Sequence, residues 1–447
     1  MKKSLSFKES IIIGSMLFGM FFGAGNLIFP VHMGQLAGSN SFPAAIGFII
    51  TGVGLPLLGV ACLGTSKKDS LFDLASLVGE KYKYFFTILL YLTIGPFFAI
   101  PRCATTSFGI MTSLLGDRSV VGPRFIFTLI FFALALVLAL RPSGIMNYIG
   151  KIINPIFLVF LFLLIIVSFA KPMLSGAPIA PEEAYATQPF FRGFIEGYNT
   201  MDAIASLAFG ITVITVIRNL GVTNETDVAM NTIKAGAIGC GFMAVIYLLT
   251  TFMGTMSRGV FETSTNGTVA LSQISSHYFG NFGIYILLIT VTLACFKTSV
   301  ALIVSCSEMF NKMFPKVTVV AWTLIFTIFS FIVSNFGLDA IITYAIPVLM
   351  FLYPLTISII LLALFGKAFN FDKKVFATTS TFALVAAIFD FIVNFPKDSI
   401  IPASFIENVA TLAGKVLPFY GLGLGWIVPT LVGLVIGLVW HVATRKA

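Results

Sequence analysis

Apolar runs of about 20 residues recur from one end of this chain to the other, each long enough to cross a bilayer as a helix. Of its 447 residues, 58% are hydrophobic and only 10% are charged, against roughly 25% charged in an ordinary soluble domain. A soluble core cannot enclose that much apolar surface. The pattern therefore predicts one all-α integral membrane domain, and marking the runs gives twelve spans.

The basic residues are spread between the runs, so the net charge of +9 indicates topology rather than nucleic-acid binding. With the N-terminus inside the cell, most of the 27 Lys and Arg residues are cytoplasmic, as the positive-inside rule requires. Twelve spans then place both termini in the cytoplasm, and the lack of a cleavage site predicts an uncleaved first span. Two polar segments, 171–197 and 257–281, are expected outside, either covering a permeation path or as solvated connections.

The sequence contains no motif for ATP hydrolysis or for hydrolytic chemistry. A P-loop, a His-Glu-x-x-His pair, a Gly-x-Ser-x-Gly elbow and a kinase signature are all missing from it. The 5 cysteines lie in apolar runs without paired ligand spacing, which predicts neither a disulfide framework nor a zinc site. An enzyme is therefore not expected. A channel is the less favoured alternative to a carrier, because the sequence has no repeated carbonyl-ring filter or charged pore ring.

The first run contains FFGAGNLIFP at residues 21–30, an interruption that admits two interpretations. Gly19 and Gly23 have the small-xxx-small spacing that lets membrane helices pack closely, but packing does not explain Gly25 or Asn26. The second interpretation is a discontinuous helix, whose freed carbonyls bind a cation or an ammonium group and whose freed amides bind a carboxylate. An amino acid zwitterion needs both kinds of group.

A second interruption is expected in the sixth span, within NTMDAIASLAFGITVI at residues 199–214. There Ser206, Ala208 and Gly210 interrupt a β-branched and Leu-rich run. If spans 1 to 5 and 6 to 10 are inverted repeats, the first and sixth spans correspond, and both are discontinuous. The single domain would then comprise two repeats and two extra helices, at about 8–170, 190–366 and 375–441.

Several stretches closely resemble the bacterial branched-chain amino acid:cation symporters, and the match covers essentially the whole chain. They are FGMFFGAGNLIFP, IGPFFAIPRCATTSFG, EGYNTMDAIASLAFG, LACFKTSVAL with CSEMF, and IPVLMFLYPL. The resemblance implies the leucine-transporter fold, with a five-plus-five inverted repeat and alternating access of spans 1, 2, 6 and 7. It also implies import of leucine, isoleucine and valine across the bacterial plasma membrane, coupled to Na⁺ or H⁺. Membrane lipid is then the expected environment, and no obligate protein partner is expected.

The resemblance assigns a site to the two interruptions. The implied substrate-binding residues supply amides for the carboxylate, carbonyls for the ammonium group and an apolar wall: Phe21, Gly23, Ala24, Gly25, Asn26, Ala203, Ser206 and Phe209. The residues implied for one Na⁺ supply carbonyls and hydroxyls: Gly19, Phe22, Cys295, Thr298 and Ser299. A second ion beside Asn26 is left open. Without the family match, the hydroxyls of Thr298 and Ser299 could instead bond back to their own helix.

Three charged residues fall within spans, where an unpaired charge is costly. Lys297 immediately precedes Thr298, where the family usually has a small or hydroxylated residue. Its amine either competes with Na⁺ or replaces it, giving a proton-responsive carrier, or it faces a watery crevice or a distant carboxylate. Arg102 and Asp202 are expected to pair and close the site from outside, with snorkelling or pairing with Glu196 as the alternatives.

Overall fold

The computed structural model describes residues 3–66, 68, 70–116, 119–140, 145–174, 179–397 and 401–445, and every regular element in those ranges is helical. The α-helices, in chain order, are α1 (Phe7–Phe21), α2 (Ala24–Ala37), α3 (Ser41–Ile49), α4 (Leu55–Thr65), α5 (Leu71–Ala75), α6 (Glu80–Leu92), α7 (Ala99–Leu115), α8 (Val121–Leu140), α9 (Ile145–Ala170), α10 (Glu183–Thr187), α11 (Pro189–Glu196), α12 (Asp202–Asn219), α13 (Glu225–Ser257), α14 (Gly267–Met313), α15 (Val319–Ser334), α16 (Leu338–Phe365), α17 (Lys373–Val393), α18 (Ala403–Val416) and α19 (Ile427–Arg445). Nine helical segments of this described part are long and apolar enough to cross a membrane. The count of twelve spans stays a prediction.

The first span is broken, as its interruption predicts. α1 starts at a capping box in which the Ser6 side chain accepts from the amide of Glu9 and the Glu9 side chain accepts from the amide of Ser6. The helix ends at Phe21. Gly23 then adopts extended backbone angles, with φ −131° and ψ −160°, and α2 begins at Ala24. The chain thus leaves the helical path for two residues inside an apolar run.

The long helix α13 packs along both halves of the broken span. An ideal Cβ at Gly34 of α2 would lie 1.9 Å from the carbonyl oxygen of Thr251, and one at Gly239 would lie 2.2 Å from the carbonyl oxygen of Gly14 in α1. Glycine is required at both positions because the backbones touch. Close packing by small residues therefore accompanies the break and holds its two halves in line.

The sixth span is broken earlier than the sequence pattern suggests. α11 ends at Glu196, and a 3₁₀ turn covers Gly197–Thr200. Met201 then has a left-handed φ of 64° before α12 begins at Asp202. A non-glycine residue with left-handed backbone angles is uncommon. Met201 therefore marks the point at which the backbone of span 6 departs most from a helix.

The prediction that Ser206, Ala208 and Gly210 interrupt this span is wrong, because α12 is continuous through all three. The small size of Ser206 and Gly210 permits close packing on α4 instead. An ideal Cβ at Gly59 would lie 1.9 Å from Ser206 Oγ, and one at Gly210 would lie 3.3 Å from Val60 Cα. Small residues in a membrane helix can mean either packing or a break, and here they mean packing.

The two breaks are supported reciprocally. α13 follows both halves of span 1, whereas α3 packs on α11 and α4 packs on α12. Spans 2 and 7 would correspond under the predicted inverted repeat, so each repeat supports the broken helix of the other. This relationship favours the repeat, whose bounds of 8–170 and 190–366 stay a prediction.

The polar segment 257–281, expected as a loop, is helical from Gly267 onward. α14 begins there, bends at Gly280, where φ is 57°, and continues to Met313. An ideal Cβ at Gly267 would lie 1.8 Å from the carbonyl oxygen of Ile28. The segment therefore packs over part of α2, and its role in covering a permeation path stays a prediction.

Candidate functional site

The break in span 1 releases backbone groups from helical hydrogen bonding. In an unbroken helix the Gly23 amide would donate to the Gly19 carbonyl, but it donates to Asn26 Oδ1 at 2.8 Å. The Gly19 carbonyl and its neighbours at the end of α1 are thereby freed, as are the first amides of α2, including Ala24 and Gly25. The span 1 groups predicted to meet the substrate and the cation are thus without intrahelical partners.

Asn26 connects the two broken spans. Its Nδ2 donates to Asp202 Oδ2 at 2.5 Å and to the hydroxyl of Tyr247. The Tyr247 hydroxyl in turn donates to the same Asp202 oxygen at 3.4 Å. All three side chains are buried. The Asp202 carboxylate therefore links α12 to α2 and to α13 between the two breaks.

Arg102 of α7 binds the break in span 6 from the other side. Its Nη1 donates to the Asn199 carbonyl at 2.6 Å and its Nη2 to the Thr200 carbonyl at 3.4 Å. The guanidinium lies over the Phe29 ring, with Cζ 5.2 Å from the centroid. The structure thus differs from the predicted direct pair: Arg102 binds main-chain carbonyls, while the Asp202 carboxylate has side-chain partners of its own.

An aromatic stack fastens the span 6 break to α16. The rings of Tyr198 and Tyr353 are nearly parallel, with centroids 3.8 Å apart, and both residues are buried. Because Tyr198 immediately precedes the carbonyls that Arg102 binds, the break is held by α7 on one side and by α16 on another.

A cavity of about 1350 Å³ reaches the break of span 1 from one side. Its mouth includes the exposed Ser15 of α1 and Glu308 of α14, and Gly19, Thr298 and Phe209 also line it. In the opposite direction the charged network is buried. The site is therefore open towards the N-terminal end of α1 and closed on the far side.

Lys297 lines this cavity and is half-buried. Its Nζ lies 3.5 Å from the carbonyl oxygen of Gly19, which is one of the carbonyls freed by the break. Both interpretations of Lys297 thus have support: the amine faces open space, and it lies beside a predicted cation ligand.

Of the residues implied for Na⁺, Gly19 and Phe22 lie at the end of α1, and the side chains of the other three divide between two surfaces of α14. Thr298 Oγ1 would lie 3.7 Å from an ideal Cβ at Gly23, and the hydroxyl donates back into its own helix at 3.1 Å. Cys295 and Ser299 are fully buried and face Cys103 of α7.

The donor chemistry of this set fits a hard cation. Ser299 Oγ is buried beside the Cys103 thiol, a weak hydrogen-bonding group, and a cation would give this oxygen a stronger partner. Neutral oxygen donors suit Na⁺ as they suit other hard cations. Within the described ranges, no cluster of His, Cys, Asp or Glu could hold a metal ion instead.

The predicted span 6 residues have different surroundings. Ala203 and Ser206 lie within regular helix, and Ser206 Oγ donates to the Ala203 carbonyl at 2.6 Å, so the structure does not free these carbonyls for an ammonium group. The freed carbonyls of span 6 belong to Asn199 and Thr200. Phe209, by contrast, lines the cavity as an apolar wall should.

Sequence reasoning missed three contributors to the network. Tyr247 sits inside the continuous α13, and nothing in its local sequence marks it. Asn199 and Thr200 contribute through main-chain carbonyls, which leave no side-chain pattern. In the sequence, the polar GYNT stretch ahead of Asp202 is the one indication of a break at this position.

Two solved structures share this fold. One is the inward-facing conformation of Mhp1, with a TM-score of 0.60 and 14% identity, covering 98% of this chain and 91% of that chain. The other is Mhp1, described as a nucleobase-cation-symport-1 family transporter, in a closed conformation with bromovinylhydantoin bound; it also has a TM-score of 0.60 and 14% identity, covering 97% of this chain and 93% of that one. With its paired breaks and its many apolar helices, the fold is that of a multi-pass membrane protein.

Sequence comparisons identify which transport family this is. The family model for branched-chain amino acid transport protein matches residues 6–444. The branched-chain amino acid permease BrnQ of Lactobacillus delbrueckii subsp. lactis is 46% identical, and BrnQ of Bacillus subtilis is 39% identical, each over 100% of both chains. The chain therefore belongs to the branched-chain amino acid transport protein family. The predicted resemblance is confirmed, and the family is one of transporters, not of enzymes.

Proposed function

We propose that this protein imports leucine, isoleucine and valine with a cation, by alternating access of spans 1, 2, 6 and 7 around the two breaks. The observation that supports this most is the position of the cavity, which ends at the freed groups of Gly19 while Asn26 joins the breaks beyond it. With a cytoplasmic N-terminus, this is an inward-open state. The permease names of the relatives support the choice of substrate.

The expected selectivity is broad among aliphatic side chains. Phe209, Leu158 and other apolar residues of the cavity offer an apolar surface to an aliphatic side chain. Leucine, isoleucine and valine differ by a methylene or a branch point, a difference worth about 1 to 3 kcal/mol at most in an apolar pocket. All three should therefore compete for one site.

The coupling cation in this proposal is Na⁺, held by carbonyls of Gly19, Phe22 and Cys295 and by the hydroxyls of Thr298 and Ser299. A second candidate is H⁺ coupling, in which Lys297 replaces or modulates the ion. The Lys297 Nζ to Gly19 carbonyl contact favours it, because the ammonium group already lies beside one of those ligands.

Uptake of labelled leucine into proteoliposomes tests this function. An inward Na⁺ gradient and an inward pH gradient are applied separately, with protein-free liposomes as the control. We expect saturable leucine uptake that isoleucine and valine inhibit and that the Na⁺ gradient accelerates. Acceleration by the pH gradient alone would favour the second candidate. A non-saturating current would instead indicate a channel, and the absence of leucine uptake would refute the proposal.

A further inference from the structure

We propose that the substrate zwitterion is recognised by two buried side-chain charges as well as by the freed backbone: Arg102 binds its carboxylate and Asp202 its ammonium group. This inference rests on the proposed function, since it concerns how the same site holds an amino acid. With the freed amides and carbonyls alone, the substrate would be held by backbone dipoles. Arg102 and Asp202 would add an ionic interaction with each charged group of the zwitterion.

The two charges are buried and lie within electrostatic reach of each other, but they form no direct ion pair in the described part of the chain. Arg102 is 5% exposed and Asp202 is 4% exposed. In the described part of the chain, the Arg102 guanidinium binds main-chain carbonyls and the face of an aromatic ring, and the Asp202 carboxylate binds the Asn26 amide, the Tyr247 phenol and the Thr200 hydroxyl. A buried charge without an ionic partner is costly. A ligand with one charge of each sign would compensate both.

Arg102 retains donors that face the start of α2. A guanidinium has five N–H donors, of which one on Nη1 and one on Nη2 are used, while its Nε is buried without a partner in the described part of the chain. Nη2 would lie 2.9 Å from an ideal Cβ at Gly25. The guanidinium therefore adjoins the freed amides of Ala24 and Gly25, where the positive end of the α2 dipole also favours an anion.

Asp202 retains acceptor capacity. Asn26 and Tyr247 both donate to its Oδ2 oxygen, whereas a carboxylate offers roughly four acceptor sites over its two oxygens. Asp202 is also the first residue of α12, adjacent to the carbonyls that the span 6 break exposes. An ammonium group there would meet the Asp202 carboxylate, while the neighbouring Asn199 and Thr200 carbonyls accept from Arg102.

The geometry predicts discrimination by charge. Leucinol lacks the carboxylate and would leave Arg102 uncompensated, whereas 4-methylpentanoate lacks the ammonium group and would leave Asp202 uncompensated. Hydrogen bonds to charged groups typically change affinity by roughly tenfold to a hundredfold. A site that held the substrate by its aliphatic side chain alone would treat all three ligands alike.

The test is competition against labelled leucine on purified full-length protein, with leucinol and 4-methylpentanoate as competitors. For the wild type we expect a preference for leucine over each analogue of at least roughly tenfold. Arg102→Gln should lose the preference over leucinol and keep that over 4-methylpentanoate, and Asp202→Asn should do the reverse. Arg124→Gln and Asp339→Asn, of which the second removes an exposed carboxylate bonded to Asn266, alter charges away from the breaks and should keep both preferences.

These ratios separate recognition from a structural role. If Arg102→Gln and Asp202→Asn weaken all three ligands by one factor, the residues only support the fold, and the inference is overturned. Should either variant fail to fold, Arg102→Lys and the wild type still test the proposal. Wild-type protein that binds leucinol as tightly as leucine contradicts the role of Arg102. Equal binding of 4-methylpentanoate contradicts the role of Asp202. Wild-type protein that binds no leucine would refute the proposed function instead.

Discussion

Asn26 donates its side-chain amide to Asp202 at 2.5 Å, across the space between the two helix breaks. Its Oδ1 also accepts a hydrogen bond from the Gly23 amide, which the break leaves without a helical acceptor. One residue therefore stabilises the irregular backbone of span 1 and fixes its position against span 6. A movement of either broken helix relative to the other must alter this contact, which places Asn26 at the centre of the proposed mechanism.

Gly25→Ala is expected to impair leucine uptake without unfolding the protein. The added Cβ would lie 2.9 Å from Arg102 Nη2, and the guanidinium cannot easily yield because the Asn199 carbonyl holds it at 2.6 Å. We expect at least a roughly tenfold loss of leucine affinity, about 1.4 kcal/mol. Gly122→Ala in α8 is the matched control, since a Cβ there meets nothing within 4 Å. Normal uptake by both variants would show that Gly25 and Arg102 are not tightly apposed.

Lys297→Thr is expected to change the cation requirement of uptake. The ammonium group lies 3.5 Å from the Gly19 carbonyl, and a positive charge at this distance opposes a second cation at the same ligand. We expect the Na⁺ concentration for half-maximal leucine uptake to fall by roughly tenfold. Lys316→Thr, at an exposed position between α14 and α15, provides the control. Unchanged dependence on both Na⁺ and pH would exclude Lys297 from ion coupling.

The pair between Asp372 and His441 is expected to give a small pH-dependent stability. It joins the start of α17 to the end of α19, with His441 Nδ1 2.5 Å from Asp372 Oδ2. The hydrogen bond with His441, with that from the Lys374 amide, holds the pKa of Asp372 below its ordinary value. Stability from a lowered carboxyl pKa is present above the unfolded value, about 4, and is lost as the pH falls through the folded value.

Thermal unfolding in detergent measures this effect. At pH 6 Asp372→Asn should be less stable than the wild type, by at most about 1 kcal/mol for a partly exposed pair, and the difference should shrink as the pH falls below 4. In a His441→Gln background, which lacks the partner, the same substitution should have less effect. An Asp372→Asn penalty that grows on acidification would contradict the assigned sign.

The break of span 1 could be predicted because its residues are chemically unsuited to an apolar helix. A break in the helix explains Gly23, Gly25 and Asn26 together. The break of span 6 was misplaced because small residues at 206 to 210 resemble the same pattern but serve packing on α4. Its true position depends on a left-handed Met201, a residue type with no preference for that conformation.

The charges could be located by sequence, but their partners could not. Arg102 was assigned to Asp202 because both fall near the same ends of their spans. Its acceptors are main-chain carbonyls, which exist at every residue and become available only where the backbone leaves the helix. Tyr247 was missed for a related reason: a tyrosine in a membrane helix has many ordinary roles, and only the fold brings its hydroxyl to Asp202.

The most direct test of the central claim is equilibrium binding of labelled leucine to the purified wild type and to Asn26→Ala. Asn335→Ala, which removes an amide bonded to the Phe331 carbonyl and to the Thr128 hydroxyl of α8, is the control. The account predicts saturable binding to the wild type that isoleucine and valine displace. It also predicts at least a roughly tenfold weaker affinity in Asn26→Ala and an unchanged affinity in Asn335→Ala. Equal leucine affinity in the wild type and Asn26→Ala would contradict the claim that the paired breaks form the binding site.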